Sequence, residues 1–166
     1  DGIRDLVRSR GLGDVYKRQG VLNLEGRDFL SRIDCPFRVA DAELTLLTRE
    51  TKTIIVDFHA ETPQEKQAMA YYLDGRVSAQ FGTHTHVQTA DEKILPAGTA
   101  YITDVGMTGA YDSILGMNKK IALGRFITGI PLKFSVADGD VKVGGIIFEI
   151  DDETGRAVGA ERVMHD

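Results

Sequence analysis

The stretch Thr53-Ile-Ile-Val-Asp-Phe58, followed within a few residues by Thr62-Pro-Gln-Glu65, limits what this chain can fold into more than any other feature. A β-branched run bounded by polar residues reads as a buried strand. Thr62 then reads as a helix N-cap, Pro63 as the first helical residue and Glu65 as the residue closing a capping box. The helix is predicted to run to about Leu73 and to stop at Gly75. A buried strand feeding a capped helix is a building unit of α/β proteins.

Similar signals recur along the chain. Val21–Leu24 reads as a short strand that enters a turn at Gly26, and Val39–Arg49 carries apolar residues near helical spacing. Val77–Phe81 and Thr99–Thr103 read as further strands. Asp104 to Gly116 is a Gly-rich loop, and a helix is predicted from near Asn118 to about Ile127. The last third reads as a meander. Phe134–Val136 is expected to meet Val141–Ile150 across Asp138-Gly139, and a second turn at Glu153-Thr-Gly155 leads to Val158–Val163. Strands interleaved with helices, then hairpins, predict an α/β fold with mixed sheets.

At 166 residues the chain is long enough for one domain with a real core. Its net charge of −5 argues against a surface for nucleic-acid backbones, so no duplex partner is expected. Chemistry on a phosphate would then need a local device, such as a metal, to offset substrate charge. No apolar run approaches the roughly 20 residues of a membrane span. The single cysteine, Cys35, leaves no internal disulfide and suits a reducing, cytoplasmic compartment. Residues 1–19 differ from the rest, with five basic and three acidic side chains and no initiating methionine. Their GLGDVYKRQ stretch resembles read-through of a sequencing adapter. They are expected to be a non-native leader, with 20–166 forming the domain portion.

The histidines carry the chemical signal. His59 follows the strand ending at Phe58, in Asp57-Phe-His-Ala-Glu61. His84 and His86 follow the strand ending at Phe81, in Gly82-Thr-His-Thr-His-Val87. Ends of neighbouring strands are where an α/β protein assembles a site from distant parts of its sequence. In extended backbone, positions i and i+2 share a side, so His84 and His86 are expected to point into one cleft. Imidazole nitrogens are good ligands for zinc, iron and related ions. Asp57 and Glu61 could orient the rings as hydrogen-bond acceptors. His165, beside the C-terminus, reads as a solvated tail residue. Gly106, Gly109 and Gly116 lack the spacing of a dinucleotide fingerprint.

Several motifs carry a family resemblance. Asn23-Leu-Glu-Gly-Arg27, Val56-Asp-Phe-His-Ala-Glu61, Arg76-Val-Ser78, Gly82-Thr-His-Thr-His-Val-Gln-Thr-Ala-Asp91 and Tyr101-Ile-Thr-Asp-Val-Gly-Met-Thr-Gly109 resemble the YmdB family of bacterial metallophosphoesterases. The resemblance runs from Gly20 to about Val163. It implies part of a calcineurin-like sandwich of mixed β-sheets flanked by helices. It also implies a phosphodiesterase that opens small cyclic phosphodiesters, 2′,3′-cyclic nucleotides leading, with two divalent ions such as Fe or Mn. His59 and His84 match family ligands of one ion, and His86 matches a ligand of the other.

Family members begin with a further half-domain that supplies an aspartate, a glutamate–asparagine pair and an Asn-His motif. None of those motifs is present here. No catalytic residue is therefore assigned in this chain: the leaving-group acid is expected in the missing half, and the isolated chain is expected to be nearly inactive. A sheet left partly uncovered would invite aggregation or self-association, so a homo-oligomer is compatible with this reading. Two alternatives remain open at this point. One is the capsule-biosynthesis branch of metallophosphatase-like proteins, and the other is a non-catalytic metal-binding fragment.

Overall fold

The computed structural model describes residues 18–30 and 33–166. In chain order the elements are β1 (Gln19–Glu25), α1 (Pro36–Leu47), β2 (Thr53–His59), α2 (Pro63–Leu73), β3 (Ala79–Thr83) and β4 (Lys93–Ile94). They continue with β5 (Ala100–Ile102), β6 (Thr108–Ala110), α3 (Lys119–Thr128), β7 (Val141–Ile150) and β8 (Ala157–His165). A five-stranded sheet has the order β1-β2-β3-β5-β4, and a three-stranded sheet the order β6-β7-β8. The pairings β1–β2, β2–β3 and β3–β5 are parallel, whereas β4 meets β5 antiparallel and β7 pairs antiparallel with both β6 and β8.

Alternation along β2 builds the layers. Ile54, Val56 and Phe58 are buried on one face with Leu22 and Leu24 of β1, Leu44 and Leu47 of α1, and Met69 and Leu73 of α2. On the other face Ile55 packs beside Ala79 and Ala100 against Phe148, Ala157 and Ala160 of the second sheet. The result is a helical layer, a mostly parallel sheet and an antiparallel sheet stacked in that order. This stacking agrees with the mixed β-sheets flanked by helices expected from the sequence. Along the face of β2 that carries Ile55, the next two positions are Asp57 and His59, so apolar packing gives way to polar groups at the strand's carboxyl end.

Most predicted elements appear with small shifts. Thr62 caps α2 by accepting the Glu65 N–H, the helix ends at Leu73, and Gly75 takes the left-handed backbone (φ 77°) that ends it. The capping box is only half made. The Glu65 carboxylate reaches across to accept the N–H groups of Arg27 and Asp28, because the loop after β1 needs acceptors there. Asn118 caps α3 as expected.

The hairpin expected between 134–136 and 141–150 does not form. Val141 pairs instead with Ala110 of β6, so that edge of β7 is taken, and Val136 bridges to Met117. The expectation for residues 1–19 lies outside the described residues except for Arg18 and Gln19, and Gln19 opens β1 opposite Thr53. Among the described residues, no helix is long and apolar enough to cross a membrane.

A polar lock ties the loop after β3 to the end of β5. Asp91 accepts the Thr89 hydroxyl, the Thr103 N–H and the Thr103 hydroxyl. Because Thr103 spends its proton on Asp91, the buried Tyr101 hydroxyl must donate to Thr103 Oγ1 at 2.7 Å. Burial pushes the Tyr101 phenol up to about 12, which keeps it a donor. Burial works against the ionised Asp91 as well, yet hydrogen bonds from Thr103 and Thr89 hold its carboxyl below the ordinary value. A lowered carboxyl contributes stability above its unfolded value, about 3.9, and loses it as pH falls through the folded value. Asp91→Asn is therefore expected to cost about 1–3 kcal/mol at neutral pH. In denaturant titrations, the gap to the parent chain should close in acid below about pH 4. A gap independent of pH would show that the carboxylate charge is immaterial.

Candidate functional site

Parallel register brings three strand ends into line. Glu25, His59 and Thr83 are direct partners across β1, β2 and β3, and Asn23 and Asp57 pair one step earlier on the same face. Side-chain bonds then connect these residues into one chain. Asn23 Nδ2 donates to Asp57 Oδ2 at 2.8 Å, and the Thr83 hydroxyl donates to Asp57 Oδ1 at 3.0 Å. The threonine's one proton is thus committed, so its 3.1 Å contact with His59 Nδ1 must be an N–H donated by the ring. In the neutral ring His59 Nε2 then carries the lone pair, a tautomer assigned from this network.

That lone pair faces His84. His59 Nε2 and His84 Nδ1 lie 3.0 Å apart, the two rings meet edge to face at 89°, and His84 Nε2 sits 2.7 Å from Glu61 Oε2. With Nδ1 facing His59 and Nε2 held by a carboxylate, His84 is oriented through both ring nitrogens. Two of the three predicted ligands are therefore brought together. Both predicted supporting carboxylates take part, Glu61 directly and Asp57 through Thr83.

His86 is placed elsewhere. The expectation that His84 and His86 share a side assumed extended backbone, but both residues have positive φ, 109° and 64°. The loop coils, and His86 Nδ1 turns to the Leu115 carbonyl at 3.1 Å. Leu115 is itself left-handed, with φ 53°. Non-glycine residues at positive φ are uncommon and cluster where structure is held for a purpose.

The donor chemistry fits a divalent transition ion. Neutral imidazole with a fixed tautomer is a good ligand, and a ring whose far nitrogen is hydrogen-bonded is the usual arrangement at such centres. His59 Nε2 and His84 Nδ1, 3.0 Å apart, are the two nitrogens that would hold one such ion. Among the described residues, no three His, Cys, Asp or Glu side chains already converge as a metal-holding group. This chain thus presents a pair of facing donors and a third histidine on the same loop. Thr83 and Asn23 were not singled out in the sequence, although Gly82-Thr-His and Asn23-Leu-Glu stand inside the motifs quoted above.

Fold and site together define a metallophosphoesterase-type sandwich with histidines at the carboxyl ends of parallel strands. The model for the YmdB-like protein family matches residues 9–163, and the chain belongs to that family. It is similar to the 2′,3′-cyclic-nucleotide 2′-phosphodiesterase of Bacillus subtilis, 52% identical over 176 residues that cover 99% of this chain and 67% of that protein. A putative phosphatase/phosphodiesterase of Mycoplasma pneumoniae is 43% identical over 129 residues, 77% of this chain and 45% of that protein. Among solved structures, a hypothetical protein from Thermus thermophilus superposes with TM-score 0.84 at 40% identity, covering 93% of this chain and 60% of that one. A phosphatase from Mycoplasma pneumoniae superposes with TM-score 0.82 at 37% identity, covering 89% and 53%. The chain thus spans between about half and two thirds of the relatives it matches.

The relay makes a prediction that needs no metal. Thr83→Val keeps the side-chain volume but removes the acceptor for His59 Nδ1–H. Ring ¹⁵N shifts of His59 should move from one tautomer to a mixture, while the melting temperature changes little. An unchanged His59 spectrum would break the Asp57–Thr83–His59 assignment.

Proposed function

We propose that this chain carries the histidine share of a metal-dependent phosphodiesterase site acting on small cyclic phosphodiesters, with 2′,3′-cyclic nucleotides as the leading class. The observation that carries the proposal is the Asp57–Thr83–His59–His84–Glu61 chain of hydrogen bonds at adjacent strand ends. The similarity to the 2′,3′-cyclic-nucleotide 2′-phosphodiesterase of Bacillus subtilis supports the substrate class. His59 and His84 would hold one divalent ion and His86 a second, with Fe or Mn the metals the resemblance implies. Bound there, such ions supply Lewis-acid stabilisation of phosphate oxygens and lower the pKa of water.

The chain's own residues prepare that chemistry. Asn23 and Thr83 fix Asp57, and Thr83 presents His59 Nε2 with its lone pair outward. Glu61 holds the far side of His84 through Nε2. A protein of net charge −5 would repel a phosphodiester at long range, so the attraction must be local and cationic. No general acid is assigned among these residues, and loss of one alone is worth about 10²–10⁴ in rate. The isolated chain is therefore expected to turn over substrate negligibly.

Calorimetric titration with Mn²⁺ should show binding that disappears in the His59→Ala, His84→Ala, His86→Ala triple variant. Binding should also weaken on acidification between about pH 8 and 5, because an imidazolium cannot ligate. Unchanged binding in the triple variant would exclude these ligands. Joining a family N-terminal half ahead of Gly20 should bring hydrolysis of 2′,3′-cyclic AMP, lost again on His84→Ala. A folded fusion inert toward every phosphodiester would count against the activity.

A further inference from the structure

Beneath the histidine loop lies an ion pair that the site described above does not use. Lys66 of α2 and Asp104, two residues past β5, both have fully buried side chains, and Lys66 Nζ lies 2.8 Å from Asp104 Oδ2. Lys66 shares the inward stripe of α2 with Met69, Ala70 and Leu73, at the i, i+3, i+4 and i+7 spacing of a core-facing side. Its stem passes against Gly82. A Cβ there would stand 2.7 Å from Lys66 Cδ and closer still to the Thr103 carbonyl oxygen, so only glycine allows the approach.

Burying two charges is expensive, and a well-packed apolar pair of similar volume is often as stable or more so. Stability is thus a weak reason for this pair to exist. Its other contacts offer a better one. Asp104 Oδ2 also accepts the Thr85 N–H at 3.0 Å, and Oδ1 accepts the Gly106 N–H at 2.9 Å. Asp104 is further locked through its backbone, donating its N–H to Thr89 Oγ1 and accepting the Thr89 N–H, each at 3.0 Å. Thr85 stands between His84 and His86, whose positive φ angles are unfavourable for non-glycine residues. A coil of that kind persists only where its surroundings hold it. A carboxylate can accept N–H groups on both oxygens at once; an amide in its place cannot.

We propose that Lys66 and Asp104 are positioning residues for the His84-Thr85-His86 loop. The buried ammonium holds the Asp104 carboxylate in place, Asp104 grips the Thr85 N–H, and the gripped backbone presents His84 to His59. The pair would thereby set the affinity for a divalent ion it never touches. This inference rests on the metal reading above.

The test is a double variant, Lys66→Met with Asp104→Leu, which replaces the pair by apolar groups of similar size. The expected result is a folded protein with a lowered melting temperature, since the Thr85 and Gly106 N–H groups lose their acceptor, and with Mn²⁺ affinity reduced about 10–100-fold, as for other residues that act on a metal through its ligands. A folded double variant that binds Mn²⁺ as tightly as the parent would overturn the proposal. Should the double variant not fold, amide exchange in the parent chain decides. Thr85 N–H protection equal to that of β3 amides supports the grip, and exchange at open-loop rates refutes it. Should the parent chain bind no Mn²⁺, the metal reading fails, and the positioning claim is judged by ring contacts alone. NOEs between His59 and His84 should then vanish in the double variant, and their persistence would overturn it.

Discussion

Every polar contact at the site depends on the register of β2 between β1 and β3. β2 has hydrogen-bonded neighbours on both edges, the helical layer on one face and the second sheet on the other. In a strand with period 2, a slip of one residue would turn Ile54, Val56 and Phe58 toward the second sheet and drive Asp57 and His59 into the helical core. The second outcome would bury a carboxylate and an imidazole without their partners, at several kcal/mol. Hydrophobic burial on one face therefore fixes the polar alignment on the other. Glu25, His59 and Thr83 stand in a row because Leu24, Phe58 and their helix partners are in the core.

The polar groups around His59 and those around Lys66 follow different rules. Around His59 and His84 the groups are partly exposed, with the side chains of His84 and Glu61 29% and 48% accessible, so water can relieve an imperfect contact. Around Lys66 and Asp104 there is no such relief, and each buried lone pair or proton needs a protein partner. Gln80 shows the limit of that requirement. It is buried on β3, donates to the Lys66 carbonyl and leaves Oε1 without a protein donor. Rigid support from below and an adaptable surface above is the division a ligand-exchanging site requires.

Much of this was legible in the sequence because it depends on short-range patterns. The capped start of α2, the Gly75 stop, the β-branched run of β2 and the Asn118 cap each rest on a few adjacent residues. The HxH geometry is not legible locally: extended backbone is the expectation for the run, whereas both histidines have positive φ, and the Thr85 N–H between them is held by Asp104 nineteen residues downstream. The hairpin at Val136 failed for a similar reason. Local turn signals at Asp138-Gly139 are sound, but β6 competes for the same edge of β7, and no local pattern reveals a competitor. Glu65 was read as a local cap and serves a distant loop. Lys66 did leave a sequence signal: a charge at an inward position of the α2 stripe asks for a buried partner, and Asp104, directly after an apolar strand, was the candidate to test.

Counting donors gives the site its remaining logic. Asp57 is engaged by Asn23 and Thr83, and Glu61 by His84, so these two carboxylates are already committed to orienting groups. An ion held by His59 and His84 would leave several coordination positions to be filled, and two ions a few Å apart would need an anionic ligand between them. On the reading proposed here, releasing Asp57 to fill that place would free Thr83 and unfix the His59 tautomer, so one requirement would be met by destroying another. On the same reading, the bridging ligand is expected from a group other than Asp57 and Glu61.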